Sequence, residues 1–325
     1  MKKIVASLLL LSALGAEADH YTYRVSDKPV ILKDASKQLS ASAREFLSKK
    51  LKEINSKSNC NNVSEKELYG ELQEIFANHS KGKLVKDVLY TDKYPVIKIP
   101  LNESIYKPWS LLNGFLLGRK KAAESPLALA PLIKVGDVVV GTDKLEHLFG
   151  MGFQYFDRHY LRGHDLKRVL KRGIFFEKTI LGGNILATGV FAYADLAANF
   201  NGMRFWNHML QKRDDVLGKE HNIGPYLKCS EGKFEQIKEI DFSIYLDLGS
   251  DESVNCSKFA SKKGLEKYNE YLASVNMKCP RRPSFLEDLR MKYDIPTQGD
   301  RKNRPLSHWI LNLDGNGKVS YLNEF

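Results

Sequence analysis

The chain contains no uninterrupted apolar run of about 18 residues, the length a helix needs to cross a bilayer, so no transmembrane helix is expected. It has no CxxC pair, which removes zinc knuckles and dithiol redox motifs. G-x-S-x-G, the Walker loop, G-x-G-x-x-G and H-E-x-x-H are all missing, so serine-hydrolase, nucleotide-binding, Rossmann and zincin chemistry have no motif to rest on. There is no internal repeat and no low-complexity tract, which argues against a solenoid or a disordered arm. No nucleic-acid-binding signature accompanies the excess of 50 Lys and Arg over 39 Asp and Glu. The resulting net charge of +11 suits anionic partners such as envelope phospholipid or acidic glycan.

What is present begins at the first residue. "MKK" is basic, "IVASLLLLSALG" is a short apolar run, and Ala16-Glu17-Ala18 is an A-x-A site. These three parts read as a bacterial secretory signal cleaved after Ala18, giving an exported protein that is periplasmic or peripherally attached to the envelope. No cysteine follows the apolar run, so no lipid anchor is expected. Cys60, Cys229, Cys256 and Cys279 remain, and an even number in an exported chain favours two disulfides. Of the three connectivities, proximity in sequence favours Cys256–Cys279, which leaves Cys60–Cys229.

After the signal (1–18), the pattern divides into segments 19–108, 109–225 and 226–325. Residues 39–57 place Ala43, Phe46, Leu47, Leu51 and Ile54 at helical spacing, and 64–78 do so with Leu68, Leu72, Ile75 and Phe76. Ser64 with Glu67 makes a capping box at the start of the second helix. Together they predict an N-terminal helical hairpin, followed from Val88 by an extended stretch rich in Pro and β-branched residues. From Trp109 to about Leu217 the pattern is mostly helical, and 226–325 is mixed, with a helix near 258–274. The expected fold is mainly α: a central helical core, the N-terminal hairpin, and a small mixed α/β, disulfide-linked C-terminal region.

The chemistry concentrates in the central segment. A helix from Thr142, read as its N-cap, to about Leu161 puts Leu145, Leu148, Phe149, Gly152, Phe153, Phe156 and Tyr160 on one side. Asp143, His147, Gly150 and Gln154 lie opposite, a pattern that also fits a solvated face. In the next helix, Glu177 falls within an apolar face made by Leu166, Val169, Leu170, Gly173, Ile174, Phe176, Ile180 and Leu181. A carboxylate so placed costs several kcal/mol unless it is paired, protonated or bound to a cation. In "GVFAYADLAANFNG", Asp195 and Asn199 share a helix side among alanines, with Gly202 read as the C′ residue. Gly182, Gly183 and Gly189 allow a tight return that brings Glu177 towards Asp195.

These residues form an oxygen-rich set with one imidazole. Asp143, His147, Glu177 and Asp195 suit Mg²⁺, Mn²⁺, Ca²⁺ or Zn²⁺. They equally suit metal-free catalysis with His147 as general base, Glu177 as an acid of raised pKa and Asp195 as a third catalytic group. Lys144 and Asn199 would orient substrate.

"VGTDKLEHLFGMG", the later Glu177 and "GVFAYADLAANFNGMRFW" together resemble a family of uncharacterised bacterial cell-envelope proteins carrying D-K-x-x-H, a mid-helix E and D-x-x-A-N-x-x-G. The resemblance spans roughly residues 135–210. It implies an envelope location and treats Asp143, Lys144, His147, Glu177, Asp195 and Asn199 as one unit, and it implies no activity. Many members look like lipoproteins, whereas this chain lacks the anchor cysteine.

Other stretches carry weaker signals. "NLDGNGKVSYLNEF" resembles a calcium loop but has Asn312 at the first ligand position and Asn323 at the twelfth, so a hairpin between "WILNL" and "KVSYL" is expected instead. Lys167, Arg168, Lys171, Arg172 and Lys178 make one side of the 165–181 helix basic, either a solvated face or an attraction for anionic lipid or glycan. "GRKK" at 118–121 follows the apolar "SLLNGFLL" and suits either a membrane surface or a buried helix with a charged exit. Two functions follow. One is an envelope hydrolase, metal-dependent or acid–base, acting on a lipid, glycan or phosphoester. The other is a non-catalytic envelope protein in which the same residues form a buried polar network that fixes helix packing.

Overall fold

The computed structural model describes residues 31–294 and 305–319, together with the backbone of Ala16 and Glu17. The rest of the expected signal segment lies outside the described residues. The fold is mainly helical, and no helix among the described residues is long and apolar enough to cross a membrane.

Helix α1 (Ser36–Lys57) buries Leu39, Ala43, Phe46, Leu47, Leu51 and Ile54, the stripe its spacing predicts. Helix α2 (Glu65–Leu72) starts with the capping box: Glu67 N donates to Ser64 Oγ at 3.2 Å, and Ser64 N donates to Glu67 Oε2 at 2.8 Å. It ends at Leu72 rather than near residue 78, because the chain tightens into i→i+3 bonds at Glu74 and Ile75. Ile75 and Phe76 are buried from this turn. The stretch expected to be extended from Val88 instead opens with the end of α3 (Lys83–Tyr90), which buries Leu84, Val85 and Val88.

The central segment holds one feature that its helical reading omits. Strands β3 (Leu132–Val135) and β4 (Val138–Gly141) pair antiparallel around Gly136 and Asp137, with Gly136 at φ +62°. Their β-branched content and the two-residue turn explain the hairpin. Just before it, β2 (Leu129–Ala130) pairs in parallel with β1 (Ala16–Glu17). Next comes α4, which runs without a break through Asp143–Glu146, His147–Met151, Gly152–Phe156 and Asp157–Leu161, the second and fourth stretches being π-helical. Asp165 caps α5 (Leu166–Thr179), its carboxylate accepting from Arg168 N at 3.1 Å. Helix α6 (Tyr193–Leu210) is buried along nearly all of its length.

Helices α4 and α6 cross with their backbones in contact. A Cβ on Gly152 would lie 2.5 Å from Gly202 Cα, and a Cβ on Gly202 would lie 2.0 Å from Leu148 O. Gly202 is therefore a mid-helix contact residue and not a C′ residue, since α6 continues to Leu210 and ends at Gln211 in the left-handed region. Trp206 Nε1 donates to Phe149 O at 2.9 Å, and the Phe153 and Trp206 rings meet edge-on at 4.9 Å. Residue numbers rise together along both helices, so they run in the same direction.

In the C-terminal region β6 (Leu227–Ser230) and β7 (Lys233–Gln236) form a hairpin, and β5 (Val190–Phe191), β8 (Lys258–Phe259) and β9 (Gly317–Lys318) form a small sheet. Helices α7 (Lys262–Ser274) and α8 (Pro283–Tyr293) complete it. Among the described residues the expected terminal hairpin does not form. Trp309 and Ile310 belong to a single helical turn, and β9 pairs in parallel with β8. Only the turn survives, with Gly315 at φ +78°. Buried Asn312 donates to Cys256 O at 2.6 Å, a bracing role in place of a calcium ligand. The disulfides are Cys60–Cys229 and Cys256–Cys279.

Candidate metal and acid–base centre

The β3–β4 hairpin delivers the chain straight into α4. Thr142 takes the expected N-cap position, but its backbone is already helical and its enclosed hydroxyl makes no cap bond; Thr142 O accepts from Leu145 N. The face that carries Asp143 and His147 is buried there and not solvated, both residues and the adjoining Lys144 and Glu146 being at most 2% exposed. The other two residues on it diverge. Gly150 packs against Asn78, and Gln154 lines a neighbouring cavity.

Lys144 stands at the middle of the cluster. Its ammonium lies 2.8 Å from Asp143 Oδ2, 2.8 Å from Asp195 Oδ1 and 2.9 Å from Glu252 Oε1. His147 presents Nε2 to Asp195 Oδ2 at 3.1 Å and Nδ1 to Asn199 Oδ1 at 3.0 Å. Both ring nitrogens therefore face acceptors. Burial lowers the imidazole pKa, but the Asp195 charge and hydrogen bond outweigh it and raise it to about 9. Asp195 shows the reciprocal effect. Burial raises its carboxyl, and His147 and Lys144 more than compensate, holding it at about 2.

The other acids go the opposite way. Burial, opposed by Lys144, raises Asp143 and pushes Glu252 up to about 7. Glu177 is fully buried, both its carboxyl oxygens lack a hydrogen-bond partner, and burial followed by the charge of Asp195 raises it well above the usual carboxylate range. The glycine return explains how it fits: a Cβ on Gly182 would lie 3.0 Å from Glu177 Oε1 and 2.6 Å from Val190 O.

Asp143, His147 and Asp195 each offer a ligand atom within 4.8 Å of the others, a buried cluster capable of coordinating a metal. Asp143 Oδ1 and the neighbouring Thr142 Oγ1 are buried with no hydrogen-bond partner, whereas Asp195 Oδ1 and His147 Nε2 are met by Lys144 and by Asp195. Glu177 lies outside the three-ligand set. Beside the cluster, a cavity of about 240 Å³ is lined by Met151, Gln154, Tyr155, Gly173, Phe176 and Leu181, among others. Tyr155 is shared: it lines the cavity, and its hydroxyl lies beside Asn199.

Two groups of residues escaped the sequence reading. Glu252 comes from the irregular stretch after 226, where no period marks a burial face. The second group is a relay along the far half of α6. Arg204 Nε donates to Asp215 Oδ2 at 2.9 Å, and His208 places Nε2 2.8 Å from Asp215 and Nδ1 2.8 Å from Tyr245 Oη. Arg204 also donates to Asn201, whose amide donates to Tyr293 Oη at 2.9 Å. The i, i+3 and i, i+4 spacing of Asn201, Arg204 and His208 could have revealed it. No family model, curated protein or solved structure matches the chain.

Proposed function

We propose that the chain is an exported envelope hydrolase in which Asp143, His147 and Asp195 hold a divalent cation and Glu177 supplies a proton, with a lipid, glycan or phosphoester of the envelope as substrate. One observation carries this reading: Asp143, His147 and Asp195, all buried, each bring a ligand atom within 4.8 Å of the others, and Asp143 Oδ1 has no hydrogen-bond partner. An unsatisfied buried polar atom is expensive, and one beside two further ligand atoms supports a place for a bound cation. A cation there would act as a Lewis acid on a carbonyl or phosphoryl oxygen. The chain's own residues do the rest. Asn199 fixes the His147 ring, Lys144 neutralises the carboxylates, and neutral Glu177 is a donor within the low-dielectric site. Tyr155 lines the cavity and its hydroxyl lies beside Asn199, which makes the cavity the side from which a substrate would approach.

Elemental analysis of the protein purified from an oxidising compartment, without chelators, tests this. About one divalent ion per chain is expected, absent from His147→Ala. A metal-free wild type whose thermal stability ignores added divalent ions would defeat the cation reading.

A second reading has its own observation, the three ion pairs by which Lys144 already answers Asp143, Asp195 and Glu252. In that reading the residues form a closed polar network that fixes the packing of α4 on α6. His147→Ala would then lower the melting temperature with no metal to lose.

A further inference from the structure

Large apolar side chains stand in solvent at one place where two loops meet. Leu111 is 53% exposed, Leu112 72%, Phe115 39%, Ile185 39% and Leu186 73%. The loops are joined backbone to backbone: Phe115 N donates to Ile185 O at 2.8 Å, and Leu116 N donates to Ala187 O at 2.9 Å. Two glycines make that approach possible. A Cβ on Gly114 would lie 1.8 Å from Thr188 O, and one on Gly189, at φ +72°, would lie 1.8 Å from Asn113 O. Beneath them Trp109 Nε1 donates to Thr188 O at 3.1 Å, and Asn113 bonds Ser261 and Lys267. The leucines are thus held outward by a braced base.

A contiguous apolar patch at the surface marks an interaction site. Its surroundings say with what. Arg119, Lys120 and Lys121 follow at once and are exposed, and the Arg119 guanidinium lies 5.8 Å from the centre of the Phe115 ring. None of the three has an ion-pair partner among the described residues. Apolar side chains that project beside unpaired cations match the layered chemistry of an anionic bilayer, with acyl chains below and phosphates above.

We propose that the 110–116 and 184–187 loops dock the protein on the surface of an anionic phospholipid bilayer, Leu111, Leu112, Phe115, Ile185 and Leu186 entering the acyl boundary and Arg119, Lys120 and Lys121 meeting the phosphates. This rests on the envelope location proposed above, not on the metal centre, so each can fail alone. The bilayer is bound peripherally, and the protein's substrate or partner would be met at that surface.

The experiment is flotation with vesicles of phosphatidylglycerol and phosphatidylethanolamine, compared with phosphatidylcholine alone. The protein's N-terminus is first determined by mass spectrometry, because a retained apolar leader would itself bind lipid. Wild type is expected to float with the anionic vesicles and to release as salt rises. Leu112→Ser/Leu186→Ser and Lys120→Glu/Lys121→Glu should each weaken binding about tenfold or more. Their melting temperatures should match wild type, since all four side chains are exposed, and so should their metal content. No binding to anionic vesicles, equal binding to phosphatidylcholine, or binding that both variants retain would overturn the proposal. So would a wild-type dimer that the serine variant converts to monomer, because a second copy would then be the occupant.

Discussion

The ammonium of Lys144 lies 2.8 Å from Asp195 Oδ1 with both side chains almost wholly removed from water. Lys144 also holds Asp143 and Glu252, so three acids from three parts of the chain share one cation. Removing one partner of a buried ionic group strands the others, which costs about 3–5 kcal/mol. Lys144→Met should therefore lower the unfolding free energy by about that much in urea titrations at neutral pH. The loss should shrink in acid as the stranded carboxyls take up protons. If the cluster binds a divalent cation, adding one should restore part of the variant's stability.

Glu177 yields the opposite expectation. Its carboxyl is buried, and burial raises its pKa well above the usual carboxylate range, so the neutral isostere should fit. Glu177→Gln should change stability by about 1 kcal/mol or less, remove the infrared band of a protonated carboxyl group, and leave metal content intact. A loss of several kcal/mol would mean that the native group is ionised.

Much of this was legible before any coordinates. Helical spacing located α1, α4, α5 and α6, and the buried stripe of α1 matches its sequence pattern closely because one side faces the core and the other water. The carboxylate of Glu177 stood out because it breaks an apolar face. What was hidden depends on long-range contact. Gly202 looks like a helix end from its neighbours, and only the backbone of Leu148 opposite shows why it lacks a side chain. The face carrying Asp143 and His147 fitted both a site and a solvated surface, because only α6 decides whether what local pattern leaves polar is buried. Glu252 joins them across more than a hundred residues, from a stretch with no period to read.

The Gly152–Gly202 crossing is a direct test of the α4–α6 arrangement. A methyl group at Gly202 would overlap Leu148 O and Gly152 Cα, and the obstacle is backbone, which moves only with the helix. Overpacking of this kind costs about 1–3 kcal/mol or more, so Gly202→Ala should fall at the upper end in a urea titration. Gly70→Ala, at a helical position with open space around it, should be neutral or slightly stabilising, as helix propensity favours alanine.

His208 sets a pH dependence. Burial lowers its pKa below the usual value even though Asp215 opposes the shift. The folded protein therefore keeps the ring neutral where the unfolded chain, with an ordinary pKa of about 6.5, has taken up a proton. The sign follows: this stability is fully present above about pH 6.5 and is lost as pH falls through the folded value. Asp215 adds a second loss at lower pH. Burial raises its carboxyl, but the bonds to His208 and Arg204 hold it below the usual carboxylate range. His208 should thus contribute more to the unfolding free energy at pH 7.5 than at pH 5, and the wild-type minus His208→Gln difference should shrink as pH falls over that range. The raised His147 and Glu252 contribute with the opposite sign. Nitrogen chemical shifts of the His208 ring should report a neutral imidazole below pH 6.5, with Nδ1 accepting from Tyr245. A ring already charged at pH 7 would reverse the sign of the His208 contribution.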